Sequence, residues 1–302
     1  RHGGAWRDAE VLDIVASEHS VRLEGGEGGE GGEASLALHP WNHAPRELPS
    51  PAFDTLVGWW EDVLRLRHSH IVDALTGRRL DVLQQCVAIG MEGGGEASVR
   101  DARSLSAWLC KQHAERCEGG AAARPAAVLL TGPPAAGKTS LLSQVIVHSL
   151  GAELVPILIK LQRLQSLLLA SPDAFASAWN WIDAFLRLEH EANPSLHRML
   201  RQALAARRAL LLLDGLDEGG AARERIERHV SEVLAPQGHV LLATSRPAGL
   251  DGARFADFTR LELSPLSDAQ QSDALAQRLG AAATERLLPY LREELPEDGE
   301  TK

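Results

Sequence analysis

Nine residues constrain this chain more than any other stretch. Gly132-Pro133-Pro134-Ala135-Ala136-Gly137-Lys138-Thr139-Ser140 completes the pattern G-x-x-x-x-G-K-[ST] between two apolar segments. Residues 126–130 before it read as a short buried strand, and Leu141, Leu142, Val145 and Ile146 after it mark one face of a helix. Gly132 and Gly137 let the backbone bend at little steric cost, so the amides of residues 135–139 can converge on an anion. The helix opening near Lys138 aims the positive end of its dipole at the same point. Lys138 adds an ammonium for the β- and γ-oxygens of a nucleotide, and the Thr139 hydroxyl is a ligand for Mg²⁺. Pro133 and Pro134 lack amide hydrogens and belong to the half of the loop that does not cradle. Residues 132–140 are therefore the expected nucleotide-binding loop, with ATP and Mg²⁺ as its occupants. ATP is favoured over GTP because no Asn-Lys-x-Asp segment for guanine is present.

Short apolar runs continue beyond the loop at residues 154–161, 209–213, 239–243 and 260–263. Each is apolar nearly throughout, as for strands covered on both faces, and the intervals are long enough for crossover helices. The expected fold is α/β: a doubly wound, parallel, five-stranded sheet of the P-loop NTPase kind, preceded by a mostly helical N-terminal region. The run at 209–213 ends in Asp214. A carboxylate there lies on the ligand edge of an open parallel sheet, where it can hold Mg²⁺ beside Thr139. Asp217 and Glu218 follow within one turn and suit the orientation of a water, or acceptance of its proton, during attack on a γ-phosphate. The sequence does not choose between the two.

The segment Leu210-Leu211-Leu212-Leu213-Asp214-Gly215-Leu216-Asp217-Glu218 resembles the extended Walker B segment of the NACHT family of STAND-class P-loop NTPases. In both, a small residue follows the metal-binding Asp and acidic residues stand three and four positions on. Residues 155–164 are similar to the family's second strand and its exit, and residues 203–208 to the helix end before the Walker B strand. Residues 240–247 resemble its sensor 1 strand, which implies that Arg246 reads the γ-phosphate. The implied strand order supports this, because it sets the fourth strand between the loop strand and the Walker B strand, and guanidinium donors at its tip suit phosphoryl oxygens. Residues 261–268 resemble the family's exit into a small helical lid. The likeness covers about residues 125–270 and includes no Gly-Asn-Pro-Leu-like lid segment.

The resemblance implies a signal-transduction hydrolase module that binds ATP, hydrolyses it slowly and switches conformation or oligomeric state. Asp217, Glu218 and Arg246 would be its catalytic residues, and Thr139 and Asp214 its metal ligands. The alternatives are a nucleotide-binding scaffold with negligible turnover and a small-molecule kinase.

The rest of the chain sets limits. Among 302 residues, 31 Lys+Arg stand against 41 Asp+Glu, a formal net charge of −10, which argues against a nucleic-acid or anionic-membrane surface. No apolar run approaches the roughly 18 residues of a membrane span. Cys86, Cys110 and Cys117 form neither a disulfide framework nor a zinc site, so reduced thiols and a cytoplasmic location are expected. The chain opens without an initiator Met or a signal segment and reads as part of something longer, whose missing regions would supply protein partners or self-oligomer contacts.

The expected organisation is an N-terminal, mostly helical region at 1–96, a connecting helix and linker at 97–124, the NTPase domain at 125–265 and the start of a lid at 266–302. Within the first region, the Gly-Gly-Glu repeat at 25–33 reads as a flexible loop and the proline-rich stretch 36–51 as irregular, with helices at 53–66 and 80–89. The histidines of His39-Pro40-Trp41-Asn42-His43 and His68-Ser69-His70 read as solvated or capping, and Trp59-Trp60 and Trp179-Asn180-Trp181 as packing groups. The alternating charges at 223–228 read as a solvated helix face.

Overall fold

The computed structural model describes residues 9–15, 18–23, 33–37, 48, 50–73, 77–87, 89–93, 99–117, 126–248 and 250–293, the first three segments by their backbone. Strands β1 (Ala9–Val15), β2 (Glu18–Leu23) and β3 (Glu33–Ala37) form an antiparallel sheet in sequence order. Helix α1 (Ser50–His68) is followed by the antiparallel pair β4 (His70–Val72) and β5 (Arg79–Asp81), then β6 (Met91–Gly93) and α2 (Ala102–Cys117). The main alternation runs β7 (Ala127–Thr131), α3 (Lys138–Ser149), β8 (Val155–Lys160), α4 (Leu161–Ala170), α5 (Pro172–Ala176), α6 (Trp181–Glu189), α7 (Pro194–Ala205) and β9 (Ala209–Asp214). It closes with α8 (Arg223–His229), β10 (Val240–Ser245), β11 (Thr259–Leu263), α9 (Asp268–Leu279) and α10 (Ala281–Glu293).

The central sheet has the order β6-β11-β7-β10-β9-β8, parallel except for β6. Every residue of β10, and all of β9 but its last, is buried. That is why those segments are apolar throughout rather than alternating. β11 does alternate, burying Leu261 and Leu263 while its neighbours face outward. One buried cluster joins these strands to Leu105 and Leu109 of α2, Leu141 and Ile146 of α3, and Phe53, Trp60 and Leu64 of α1.

Three expectations need correction. Among the described residues the sheet has six strands rather than five, because Met91, Glu92 and Gly93 pair antiparallel with Leu263, Glu262 and Leu261. Three residues are too few to display a strand period. The N-terminal region is not mostly helical: among the described residues it holds one long helix and six short strands. The expected helix at 80–89 is instead β5 and a turn. The Asp81 carboxylate accepts the amides of Leu83 (2.9 Å) and Gln84 (2.8 Å), an Asx turn that competes with helix, while Leu80 and Val82 point inward. Of the Gly/Glu repeat only Glu33 is described, as the first residue of β3; most of 36–51 and, within the connecting segment 97–124, all of 118–124 lie outside the described residues.

Helix α1 is anchored on the outer strand. The Trp60 indole donates to the Pro156 carbonyl at 3.0 Å in a buried contact. Trp60→Phe keeps most of the apolar contact but strands that carbonyl, so stability should fall by about 1–2 kcal/mol in urea unfolding. A loss under about 0.3 kcal/mol would show that water replaces the indole.

Candidate nucleotide site

The phosphate loop joins the end of β7 to the start of α3, at the carboxyl edge of the sheet. Its shape follows from two left-handed residues, Ala135 at φ 60° and Gly137 at φ 91°. Gly137 precedes the first residue of α3 and offers no side-chain cap, so the first-turn amides of a 12-residue helix face outward without one. A Cβ at Gly137 would lie 2.4 Å from Ile89 Cδ1, so the segment leading into β6 packs directly under the loop. The loop is tied to β10 by the Gly132 amide, which donates to the Ser245 carbonyl at 3.3 Å. The Ala136 amide donates back to Pro133 at 3.3 Å and is engaged within the loop itself. Ala135, Pro133 and Pro134 are exposed, and Ser140 at the start of α3 is half-buried.

Lys138 does not simply extend into solvent. Its Nζ donates to the carbonyls of Gly132 at 2.7 Å and Pro133 at 2.8 Å. Partial burial lowers its ammonium below the ordinary lysine range. The charge of Asp217 opposes that shift, Arg246 reinforces it, and Asp214 and Glu218 act with Asp217. Every charged side chain singled out in the sequence thus lies within electrostatic reach of one ammonium.

Asp214, at the end of β9, faces the loop across the intervening strand. Thr139 Oγ1 donates to Asp214 Oδ2 at 3.1 Å. Two oxygens bound to one Mg²⁺ at about 2.0–2.1 Å and at right angles stand about 2.9 Å apart, so this pair fits two adjacent positions of an octahedral ion. Among the described residues no cluster of three or more His, Cys, Asp or Glu side chains could hold a metal, so the remaining ligands would be phosphate oxygens and water.

The other Asp214 oxygen is held by a residue the sequence reading did not single out. Thr244, buried in β10, donates to Asp214 Oδ1 at 2.9 Å and accepts the Gly215 amide at 3.0 Å. The available signal was a pair of hydroxyl residues, Thr244 and Ser245, closing an apolar run in the strand that lies between β7 and β9. Outer-shell partners of metal ligands matter at the level of about 10–100-fold in metal affinity. Thr244→Val should therefore raise the Mg²⁺ concentration required for nucleotide binding by about tenfold or more. Titration of Mg²⁺ at fixed ATP checks this, and an unchanged midpoint would remove Thr244 from the site.

Beyond Asp214 the chain turns at Gly215, φ 82°, into one 3₁₀ turn over Leu216–Glu218. A Cβ at Gly215 would meet the Glu218 side chain at 3.0–3.1 Å, so the small residue lets that carboxylate fold over the turn. The two acidic residues then part ways. Asp217 takes the Arg246 amide on Oδ1 at 3.1 Å and the Arg246 guanidinium on Oδ2 at 3.0 Å. Glu218 is exposed, and its carboxylate has no hydrogen-bond or ion-pair partner among the described residues.

Other groups set aside in the sequence sit elsewhere. Trp181 stacks on His229 at 4.4 Å, and the Arg223–Glu227 and Arg228–Glu224 pairs lie along α8. No described helix is long and apolar enough to cross a membrane.

No protein-family model matches the chain, and no curated protein matches it. Among solved structures it is similar to PCH-2 of C. elegans, at 17% identity and a TM-score of 0.35 over 67% of this chain and 48% of that one. It is also similar to a chain of the HORMA:CdnC:Trip13 complex of E. coli MS115-1, at 17% identity and a TM-score of 0.38 over 65% of this chain and 72% of that one. The chain thus spans about half the length of PCH-2. The loop strand β7 lies beside β10, and β10 beside the Asp214 strand, in an α/β fold whose central sheet is parallel except at β6.

Proposed function

We propose that the chain is a NACHT-like switch module of a larger regulatory protein, one that binds Mg·ATP at the carboxyl edge of its sheet and hydrolyses it slowly. The observation that carries this reading is the gathering of Lys138, the Thr139–Asp214 pair and the Asp217–Arg246 pair around one loop. The Lys138 ammonium exchanges the carbonyls of Gly132 and Pro133 for phosphate oxygens, which return a stronger, charge-assisted bond. Thr139 and Asp214 would hold Mg²⁺, with Thr244 orienting Asp214. When bound with ATP, the ion neutralises charge on the β- and γ-phosphates.

Glu218, the carboxylate without a partner, receives the proton of the attacking water as its oxygen bonds to the γ-phosphorus. The bond from that phosphorus to the bridging oxygen breaks, and ADP leaves. Asp217 positions Arg246, whose guanidinium turns toward the γ-phosphate. The terminal phosphate competes with Asp217 for Arg246, so the state of that pair differs between ATP and ADP occupancy. Such a contact is a means of switching. A module of this kind acts on protein partners or on further copies of itself.

Single-turnover phosphate release tests the reading. Release that requires both the chain and Mg²⁺, and stops with EDTA, is the expected result. Tight Mg·ATP binding with no release above background would instead favour a nucleotide-holding scaffold. The resting pairing of Arg246 with Asp217 gives that second reading its specific support.

A further inference from the structure

A cavity of about 340 Å³ opens beside β8, the outer strand of the central sheet, between α1, α4 and α6. None of its lining residues belongs to the phosphate loop or to the acidic turn after β9. Trp60, Leu64, Ile157 and Phe185 form an apolar floor, each at most 6% exposed. The mouth is cationic. Arg67, Lys160 and Arg163 stand there against Glu189, and Arg163 is bonded to Glu189 at 3.0 Å. Arg67 and Lys160 have no hydrogen-bond or ion-pair partner among the described residues, although the whole chain carries a net charge of −10.

Both histidines of the wall are held below the ordinary histidine range. For His68 the causes are burial first and then the cations Arg67 and Lys160, and for His190 burial outweighs the opposing charge of Glu189, with Arg67 and His197 acting with burial. The Nδ1 of His68 meets the Ser143 hydroxyl at 3.1 Å. A pocket of this size accommodates a small organic molecule, and a few polar groups at its rim fix orientation. The floor offers little to the hydroxyls of a sugar, whereas the rim offers a planar guanidinium and an ammonium to a single anionic group.

We propose that this cavity is a second ligand site, for a small organic acid with an aromatic or branched apolar body. The body lies on Trp60, Leu64, Ile157 and Phe185, and the carboxylate sits between Arg67 and Lys160. The site shares no lining residue with the nucleotide site, although Lys160 is the cross-strand neighbour of Asp214, and it stands independently of whether ATP is hydrolysed.

Calorimetric titration of the whole chain with 2-naphthoate tests the assignment. One saturable site per chain is expected, with the neutral isostere 2-naphthalenemethanol bound about tenfold more weakly or worse. The double variant Arg67→Gln/Lys160→Gln should lose about tenfold in affinity for the acid at an unchanged melting temperature, since both side chains are exposed. Lys138→Ala should leave binding of the acid unaltered. Absence of saturable binding, equal affinity in the double variant, or loss of binding in Lys138→Ala would each overturn the proposal, the last by moving the acid to the phosphate loop.

Discussion

Lys138→Ala is expected to raise the dissociation constant for Mg·ATP by about a hundredfold or more while leaving the fold intact. The ammonium stands within reach of three carboxylates and one guanidinium, and partial burial already makes its charge costly to keep. A triphosphate tail supplies the opposite charge at the loop amides, where the positive end of α3 also points. Hydrogen bonds to charged groups contribute about 1.5–3 kcal/mol each, and a hundredfold corresponds to about 2.7 kcal/mol, so one or two lost bonds suffice. The stability effect should be small by comparison. Among the described residues Nζ bonds two carbonyls of its own half-exposed loop, and removing it spares the cost of burying the charge. Calorimetry and a thermal melt on the same sample separate the two effects. Affinity within about threefold of wild type would mean that the amides alone hold the phosphates, and the cradle would have to be redrawn without its lysine.

What was legible in the sequence was whatever depends on near neighbours along the chain. The loop pattern fixes its own conformation, because Gly137 takes a positive φ and the helix dipole starts at Lys138. Four of the five parallel strands stood out because burial on both faces forces nearly continuous apolar runs, as in Leu210–Leu213 of β9, whereas β11 alternates. Contacts between distant segments were not legible. Thr244 matters only because β10 is inserted beside β9, which puts its hydroxyl 2.9 Å from Asp214.

The sixth strand and the packing of Ile89 under Gly137 are also products of topology, since they bring residues about 50 to 170 positions apart together. The misread helix at 80–89 failed for a local reason. Its apolar spacing fits either period, and the Asp81 side chain decided the outcome. The mouth of the cavity beside β8 was equally hidden, because Arg67 and Lys160 lie on different elements and neither belongs to a motif.

The sequence left Asp217 and Glu218 equivalent, and the geometry now separates them. Glu218→Gln should lower turnover by about 10²–10⁴-fold, the range for removing a general base, while Mg·ATP affinity stays within about threefold. Glutamine keeps the shape that folds over Gly215 but cannot take the proton of water. Asp217→Asn should behave differently, because its two oxygens are committed to the Arg246 amide and guanidinium. Weakening that pair removes a competitor for the guanidinium, so preference for ATP over ADP should rise. Arg246 is 49% exposed, which limits the pair to under about 1 kcal/mol and the gain in preference to about fivefold. Phosphate release under single turnover and paired ATP and ADP titrations distinguish the variants. If Asp217→Asn stops release and Glu218→Gln does not, the roles are exchanged, and the Asp217–Arg246 pair is then a resting state that must open before water can be activated.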